Sequence, residues 1–193
     1  SLSLVELPRE VHKKGDHDTG GGFDAKPLLA AALQGQDIGL VSEAGMPAVA
    51  DPGSALVRAA HDAGVAVHPL PGPVSLVLAL AASGLNGQQF AFAGYVPQEA
   101  GARAQQLRVL ETQALRTGQT QILIETPYRN VALFETMLAC LAEPTRLGVA
   151  AELTLPGERI RVRSIAQWRR DPQPPPREPT LFLIGADAGA PGL

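Results

Sequence analysis

The chain is poor in cysteine, in net charge and in long apolar runs, and each shortage removes a class of protein. Cys140 is its one cysteine, so no disulfide can form within the chain. Its place between Leu138 and Leu141, in a stretch with amphipathic helical spacing, suits a buried apolar role. A reducing, cytoplasmic setting fits that usage. The formal net charge is −3, which excludes a strongly basic nucleic-acid footprint while leaving room for a local basic patch. The most apolar run, Val74 to Ala82, is far shorter than the ~20 residues a bilayer span requires, and no signal peptide is visible. No membrane association is expected. The four histidines, His12, His17, His61 and His68, lack metal-ligand spacing, so no metal is expected.

What remains is a globular composition, 45% hydrophobic and 18% charged over 193 residues, enough for one sizeable core or two small ones. The organising stretch is Gly39-Leu-Val-Ser-Glu-Ala-Gly-Met-Pro-Ala-Val-Ala-Asp-Pro-Gly53. Ile38 to Val41 reads as a buried strand, followed by a loop whose course is fixed by Gly45, Pro47, Pro52 and Gly53. Asp51 followed by Pro52 reads as a helix start, with a helix over Ser54 to Ala63. Open α/β sheets place ligands where a strand ends in such a loop; the plain alternative is an ordinary βα turn. A second unit of the same kind, Val65-Ala-Val-His-Pro-Leu-Pro-Gly-Pro-Val-Ser75, suggests a crevice between strand ends.

Taken in order, the first half predicts strands near 2–7, 38–41 and 65–68, each followed by a helix (Phe23 to Leu33, Ser54 to Ala63, Ser75 to Ser83). That alternation argues for a parallel sheet with helical crossovers. The glycine-rich loop Lys13 to Gly22 reads as a surface excursion. The domain boundary is expected near Gly87, giving an N-terminal α/β domain, 1–87, and a C-terminal α+β domain, 88–193. The second half predicts strands at Gln89–Tyr95, Gln121–Ile124, Arg146–Leu153, Glu158–Val162 and Thr180–Ile184. Helices are predicted over Glu99–Leu115, Asn130–Leu141 and Ser164–Arg169, with Asp171 to Pro179 an extended connector.

The segment Ser42-Glu-Ala-Gly-Met-Pro-Ala-Val-Ala-Asp-Pro-Gly53 resembles the S-D-A-G-T-P-x-x-x-D-P-G motif of the tetrapyrrole methylase superfamily, and more narrowly its branch of small-subunit ribosomal RNA ribose 2′-O-methyltransferases. Pro69-Leu-Pro-Gly-Pro-Val-Ser75, Ala82-Ser-Gly-Leu85, Phe92-Ala-Gly-Tyr-Val-Pro97, Glu125-Thr-Pro-Tyr-Arg129 and Glu152-Leu-Thr154 match further motifs in the family's order. The resemblance runs from Leu4 to Gly185. Nothing here corresponds to the family's opening strand and its V-P-T-P-I-G-N loop, so the resemblance implies a chain that enters the fold after that segment. The branch's R-E-L-T-K reads Ala151-Glu-Leu-Thr-Leu155, without its two basic residues, and Glu43 and Met46 replace an aspartate and a threonine.

The resemblance implies a two-domain fold with S-adenosylmethionine held in the cleft between the domains. By position Gly45, Met46 and Val49 would line the cofactor with Asp51 close by; Val74 and Ser75 would lie near its adenine or ribose. Thr126, Ala151 and Thr180 would approach from the second domain, together with Glu125. Plainer roles compete: Val49 and Val74 as core, Ser75 and Asp51 as helix caps. Removing the proton of a ribose hydroxyl calls for a base, with Glu125 the first candidate and Glu152 the second. Arg129 would meet an RNA phosphate or a carboxylate; alternatively Glu125 and Arg129 form a structural ion pair. The implied function is methylation of ribosomal RNA by a homodimer, in which Arg103, Arg108, Arg116 and Arg129 could assemble a basic groove. The competing readings are methylation of a tetrapyrrole or other small molecule, and a catalytically silent cofactor- or RNA-binding relative.

Overall fold

The structure, a computed structural model, describes residues 3–8 and 23–187. The chain divides into two units, Ser1–Val74 and Ser75–Leu193.

In the first unit the core forms around helix α1 (Ser54–Asp62). Ala55, Leu56, Ala59 and Ala60 repeat at helical spacing and pack with Ala25 and Leu29, ringed by Phe23, Leu28, Leu40 and Val65. The helix expected over Phe23 to Leu33 is instead two short 3-10 turns, Lys26–Leu29 and Ala32–Gln34. Helices of this length draw their stability from a packed apolar face, and between Phe23 and Leu33 only Ala25 and Leu29 are buried. Gly35 ends the second turn in the left-handed region at φ 79°, where the sequence placed the stop.

None of the described residues of this unit lies in a strand, so the parallel sheet expected there is a correction. Residues 3–7 of the first expected strand, 38–41 and 65–68 have strand-like composition, yet a strand exists only when its N–H and C=O groups pair with a neighbour. Here Ile38, Val41 and Val67 are exposed and no ladder forms. The loop Lys13–Gly22 lies outside the described residues.

The second unit opens with helix α2 (Ser75–Ser83), closed by Gly84 at φ 68°. Five strands follow: β1 (Phe90–Gly94), β2 (Thr120–Glu125), β3 (Arg146–Ala151), β4 (Arg159–Ser164) and β5 (Thr180–Gly185). They form one sheet in the order β1-β2-β5-β3-β4. The β1–β2 pair is parallel and the other three pairs are antiparallel, so the sheet is mixed. Helix α2 packs on β4 and β5.

Helices α3 (Ala100–Thr117), α4 (Asn130–Cys140) and α5 (Ile165–Arg170) complete the unit. Their apolar residues Leu107, Leu110, Leu133, Phe134, Met137 and Trp168 share a core with Leu123, Leu147, Phe182 and Ile184 of the sheet. Trp168 meets Phe134 edge-on at 5.2 Å between ring centroids and donates its indole N–H to the Leu147 carbonyl at 2.9 Å. Burying a phenylalanine-sized side chain contributes roughly 1.5–3 kcal/mol, so these rings anchor the helical layer. The Glu111 carboxylate, also buried, accepts the Ala142 amide at 2.7 Å and the Thr145 hydroxyl, tying α3 to the turn before β3. Glu99 caps α3 by accepting the Gly101 and Ala102 amides at 2.8 and 2.6 Å. Ser164 and Gln167 form a capping box on α5. Among the described residues no helix is long and apolar enough to cross a membrane.

Candidate functional site

In the first unit the organising loop is held by backbone conformation more than by packing. Gly45, Ala48, Ala50 and Gly53 all have positive φ, at 81°, 63°, 58° and 137°. At Gly53 an added Cβ would come within 2.8 Å of Leu40 Cδ2 and 3.3 Å of the Ala48 nitrogen. Ala48 donates to the Pro52 carbonyl and Val49 to the Met46 carbonyl, each at 3.2 Å. Asp51 is not the cap the sequence suggested. The N-cap position falls to Gly53, and the Asp51 carboxylate takes the Ser42 hydroxyl at 2.6 Å. The same hydroxyl lies 2.8 Å from the Ala44 carbonyl; its single proton favours the charged acceptor.

The loop's free surface lies at Gly45, where a Cβ would meet nothing within 4 Å, and at Val49, 39% exposed. Met46 is half-buried. An accessible glycine backbone beside two apolar side chains suits a flat adenine or ribose, so these residues fit the group that the motif implies. Val49 does not serve as core. Val74 is half-buried and Ser75, the first residue of α2, is exposed.

In the second unit the strand register aligns three of the expected residues. Glu125 at the end of β2 pairs with Thr180 at the start of β5, and Thr180 pairs in turn with Ala151 at the end of β3. All three are at most 4% exposed. Beyond β2 the chain makes a 3-10 turn, Pro127–Arg129, and Arg129 folds back onto Glu125. Its Nη2 and Nε donate to Glu125 Oε1 at 2.6 and 2.9 Å. The same oxygen accepts the Thr126 amide at 2.6 Å and faces the Thr126 hydroxyl at 3.2 Å. Glu125 and Arg129 are thus the ion pair that the sequence offered as one alternative, and Glu125 Oε1 is fully committed.

Asn130, the first residue of α4, was not foreseen. It is wholly buried, and its amide nitrogen reaches the Pro176 and Glu178 carbonyls at 3.0 and 2.7 Å and Thr180 Oγ1 at 3.0 Å. Thr180 therefore spends its hydroxyl inside the protein. The only hint in the sequence was a polar residue opening an apolar helix, a signal shared by every N-terminal helix residue. Among the described residues two buried polar atoms in this corner lack a partner, Arg129 Nη1 and Asn130 Oδ1, one a donor and one an acceptor. Tyr128, also unforeseen, is 74% exposed and lies 5.8 Å from the Arg129 guanidinium.

Glu152 follows Ala151 in a different state. Its φ of 52° and that of Thr154, 68°, turn the chain sharply, with Leu155 donating back to the Glu152 carbonyl at 3.0 Å. The Glu152 carboxylate lies over Gly157, where an added Cβ would come within 2.7 Å of both oxygens. Its side chain makes no hydrogen bond or ion pair among the described residues, the nearby Thr154 amide going to Glu158 at 2.8 Å instead.

Comparison with known proteins accords with this layout. Over 193 residues the chain is 36% identical to ribosomal RNA small subunit methyltransferase I of Mesorhizobium japonicum, matching 98% of this chain and 63% of that protein. Over 144 residues it is 38% identical to the protein of the same name from Escherichia coli O157:H7, matching 75% of this chain and 49% of that one. The chain thus spans between about half and two thirds of the length of these relatives. The crystal structure of the methyltransferase CobJ has the same fold at a TM-score of 0.56 and 23% identity, over 85% of this chain and 70% of that one. The pattern that defines the tetrapyrrole (corrin/porphyrin) methylases matches residues 4–168, and with the motif loop and the strand-end row in place the chain belongs to that family.

Proposed function

We propose that this chain is part of an S-adenosylmethionine-dependent methyltransferase acting on a ribose 2′-hydroxyl of ribosomal RNA. The observation that carries the reading is the 36% identity over 193 residues to a small-subunit ribosomal RNA methyltransferase. When bound, S-adenosylmethionine supplies a methyl group already activated by its sulfonium. The residues assigned to it are Gly45, Met46, Val49 and Asp51 of the motif loop, Val74 and Ser75, Thr126 just beyond β2, and Ala151 and Thr180 of the strand-end row. Asp51 acts by fixing the loop through Ser42. Thr180 and Ala151, both buried, act by shape and backbone.

The protein's part in the reaction is to position, to exclude water and to take one proton. Glu152 is the residue we assign as proton acceptor, because its carboxylate is unencumbered while Glu125 Oε1 holds Arg129 and Thr126. Glu125 then serves by aiming Arg129, whose unpartnered Nη1 is a donor for a phosphate or carboxylate oxygen. Tyr128 offers a stacking face to an unpaired base. Homodimerisation in the cytoplasm completes the reading; exposed Phe90 and Phe92 on the edge strand β1 support a second copy as partner.

Calorimetric titration of the full-length protein with S-adenosylmethionine tests the cofactor assignment. Micromolar binding is expected. Gly45→Trp fills the open space at Gly45 and is expected to abolish it with the circular dichroism spectrum retained. A folded protein that binds no S-adenosylmethionine contradicts the reading.

A further inference from the structure

Of the four cations that the sequence nominated for RNA, two are engaged within the protein. Arg129 is held by Glu125, and Arg103 donates to Thr136 and to the Gln98 carbonyl at 3.0 Å each. A denser group lies elsewhere. From Arg159 to Arg177 six arginines stand against one acid, Asp171, with Glu158 and Glu178 bounding the segment. This is the reverse of the chain's net charge of −3.

Three of the six, Arg159, Arg161 and Arg163, alternate along β4, an edge strand of the sheet. Alternate residues on a strand share a face and lie about 6.6 Å apart, so the three form a ridge. Only Arg163 is spoken for: it pairs with Asp171 at 3.0 Å and lies 5.1 Å over the Trp168 ring. Arg159 and Arg161 are exposed, and neither guanidinium has a partner among the described residues. Both line a hollow of about 500 Å³ shared with Val149, Ala151 and the proline connector at Pro174 and Pro175. The carboxylate at its rim, Glu158, is turned to the Thr154 amide. Charges on an edge strand also guard it from pairing with other chains, but that role needs no hollow beside them. The hollow reaches Ala151, the β3 member of the strand-end row, so a strand lying along the ridge would pass the residues assigned to the reaction.

We propose that the β4 ridge, with Arg159 and Arg161 as its contacts, is the binding track for the phosphodiester backbone of single-stranded RNA. The proposal rests on the RNA reading above and locates where that substrate is gripped. Two free guanidiniums in register, spaced for successive anionic groups and set beside a trough open to solvent, match a polyanion that has to be held without base pairing.

The test is the salt dependence of binding of a fluorescent single-stranded ribosomal RNA fragment to the full-length protein. Wild type is compared with Arg159→Gln/Arg161→Gln and with Arg108→Gln/Arg116→Gln, an equal loss of charge on α3. Loss of two phosphate contacts lowers the slope of log affinity against log salt by about 1.4. The ridge variant is expected to show that loss, with weaker RNA binding and unchanged S-adenosylmethionine affinity, while the α3 variant keeps the wild-type slope. A ridge variant with the wild-type slope, or an equal drop in the α3 variant, overturns the track and leaves the RNA reading standing. A wild-type protein that binds S-adenosylmethionine but no RNA at low salt overturns the RNA reading, and the track with it.

Discussion

In the loop from Ser42 to Gly53, four residues hold positive φ and, among the described residues, the side chains of Ser42 and Asp51 brace the turn. At the ends of β2, β5 and β3 the side chains of Glu125, Thr180 and Ala151 are buried, set by ladder register and by a carboxylate–guanidinium pair. The loop stores its shape as backbone conformation and leaves surface open at Gly45 and Val49. The row stores its shape as side-chain bonding and leaves two buried polar atoms, Arg129 Nη1 and Asn130 Oδ1, without partners among the described residues. A loop of the first kind can present backbone to a ligand at close range; a row of the second kind can aim one charge. The two regions should therefore fail in different ways.

The largest effect is expected in the row. Glu125→Gln removes the charge opposite Arg129 and leaves the guanidinium half-buried and unpaired. Breaking one partner of a buried pair costs about 3 kcal/mol at the low end of the range, which the 18% exposure of the Arg129 side chain selects. A denaturant midpoint lowered by that amount at constant slope is the expected result; a loss under ~0.5 kcal/mol, the scale of exposed pairs, breaks the comparison. In the loop, Gly53→Ala is expected to cost about 1–3 kcal/mol, from a φ of 137° and the close approach of Leu40. Ser42→Ala follows at about 1 kcal/mol, because Asp51 keeps access to water, and it should weaken S-adenosylmethionine binding more than it lowers stability.

The smallest effect lies outside both regions and serves as a reference. The amides of Ala102 and Gly101 hold the Glu99 carboxyl below its ordinary value of 4.5. A carboxylate whose pKa is depressed on folding contributes stability above its unfolded value and loses it as pH falls through the folded one. Wild type and Glu99→Gln should therefore differ most above pH 4.5 and converge below it, in acid unfolding followed by circular dichroism.

Much of the second unit was legible in the sequence because its signals are local. Glu99 before an alanine-rich run, Gly84 and Gly118 after one, and Ser164 three residues ahead of Gln167 mark helix ends by the groups that satisfy their amides and carbonyls. Alternating Arg and apolar residues from Arg159 to Ser164 mark a strand with one exposed side. In the first unit, Ile38 to Val41 and Val65 to His68 carry equally good strand composition, but pairing is a property of two segments and neither segment records its partner. The site divides the same way. The motif brought Glu125, Thr126 and Arg129 to notice, and the four-residue spacing allowed the ion pair. What it could not show is that Arg129 would claim the very oxygen that makes Glu125 attractive as a base. Asn130 reaches residues 46 to 50 positions away, beyond any local pattern.

Nucleoside mass spectrometry measures methyl transfer to ribose directly. The full-length protein is incubated with methyl-labelled S-adenosylmethionine and unmethylated small-subunit ribosomal RNA. Label is expected in a single 2′-O-methylnucleoside, retained by Glu125→Asp and lost at least a hundredfold in rate with Glu152→Gln, the scale of a positioned general base. Label appearing on a base, or on a tetrapyrrole while the RNA remains unmodified, would contradict it.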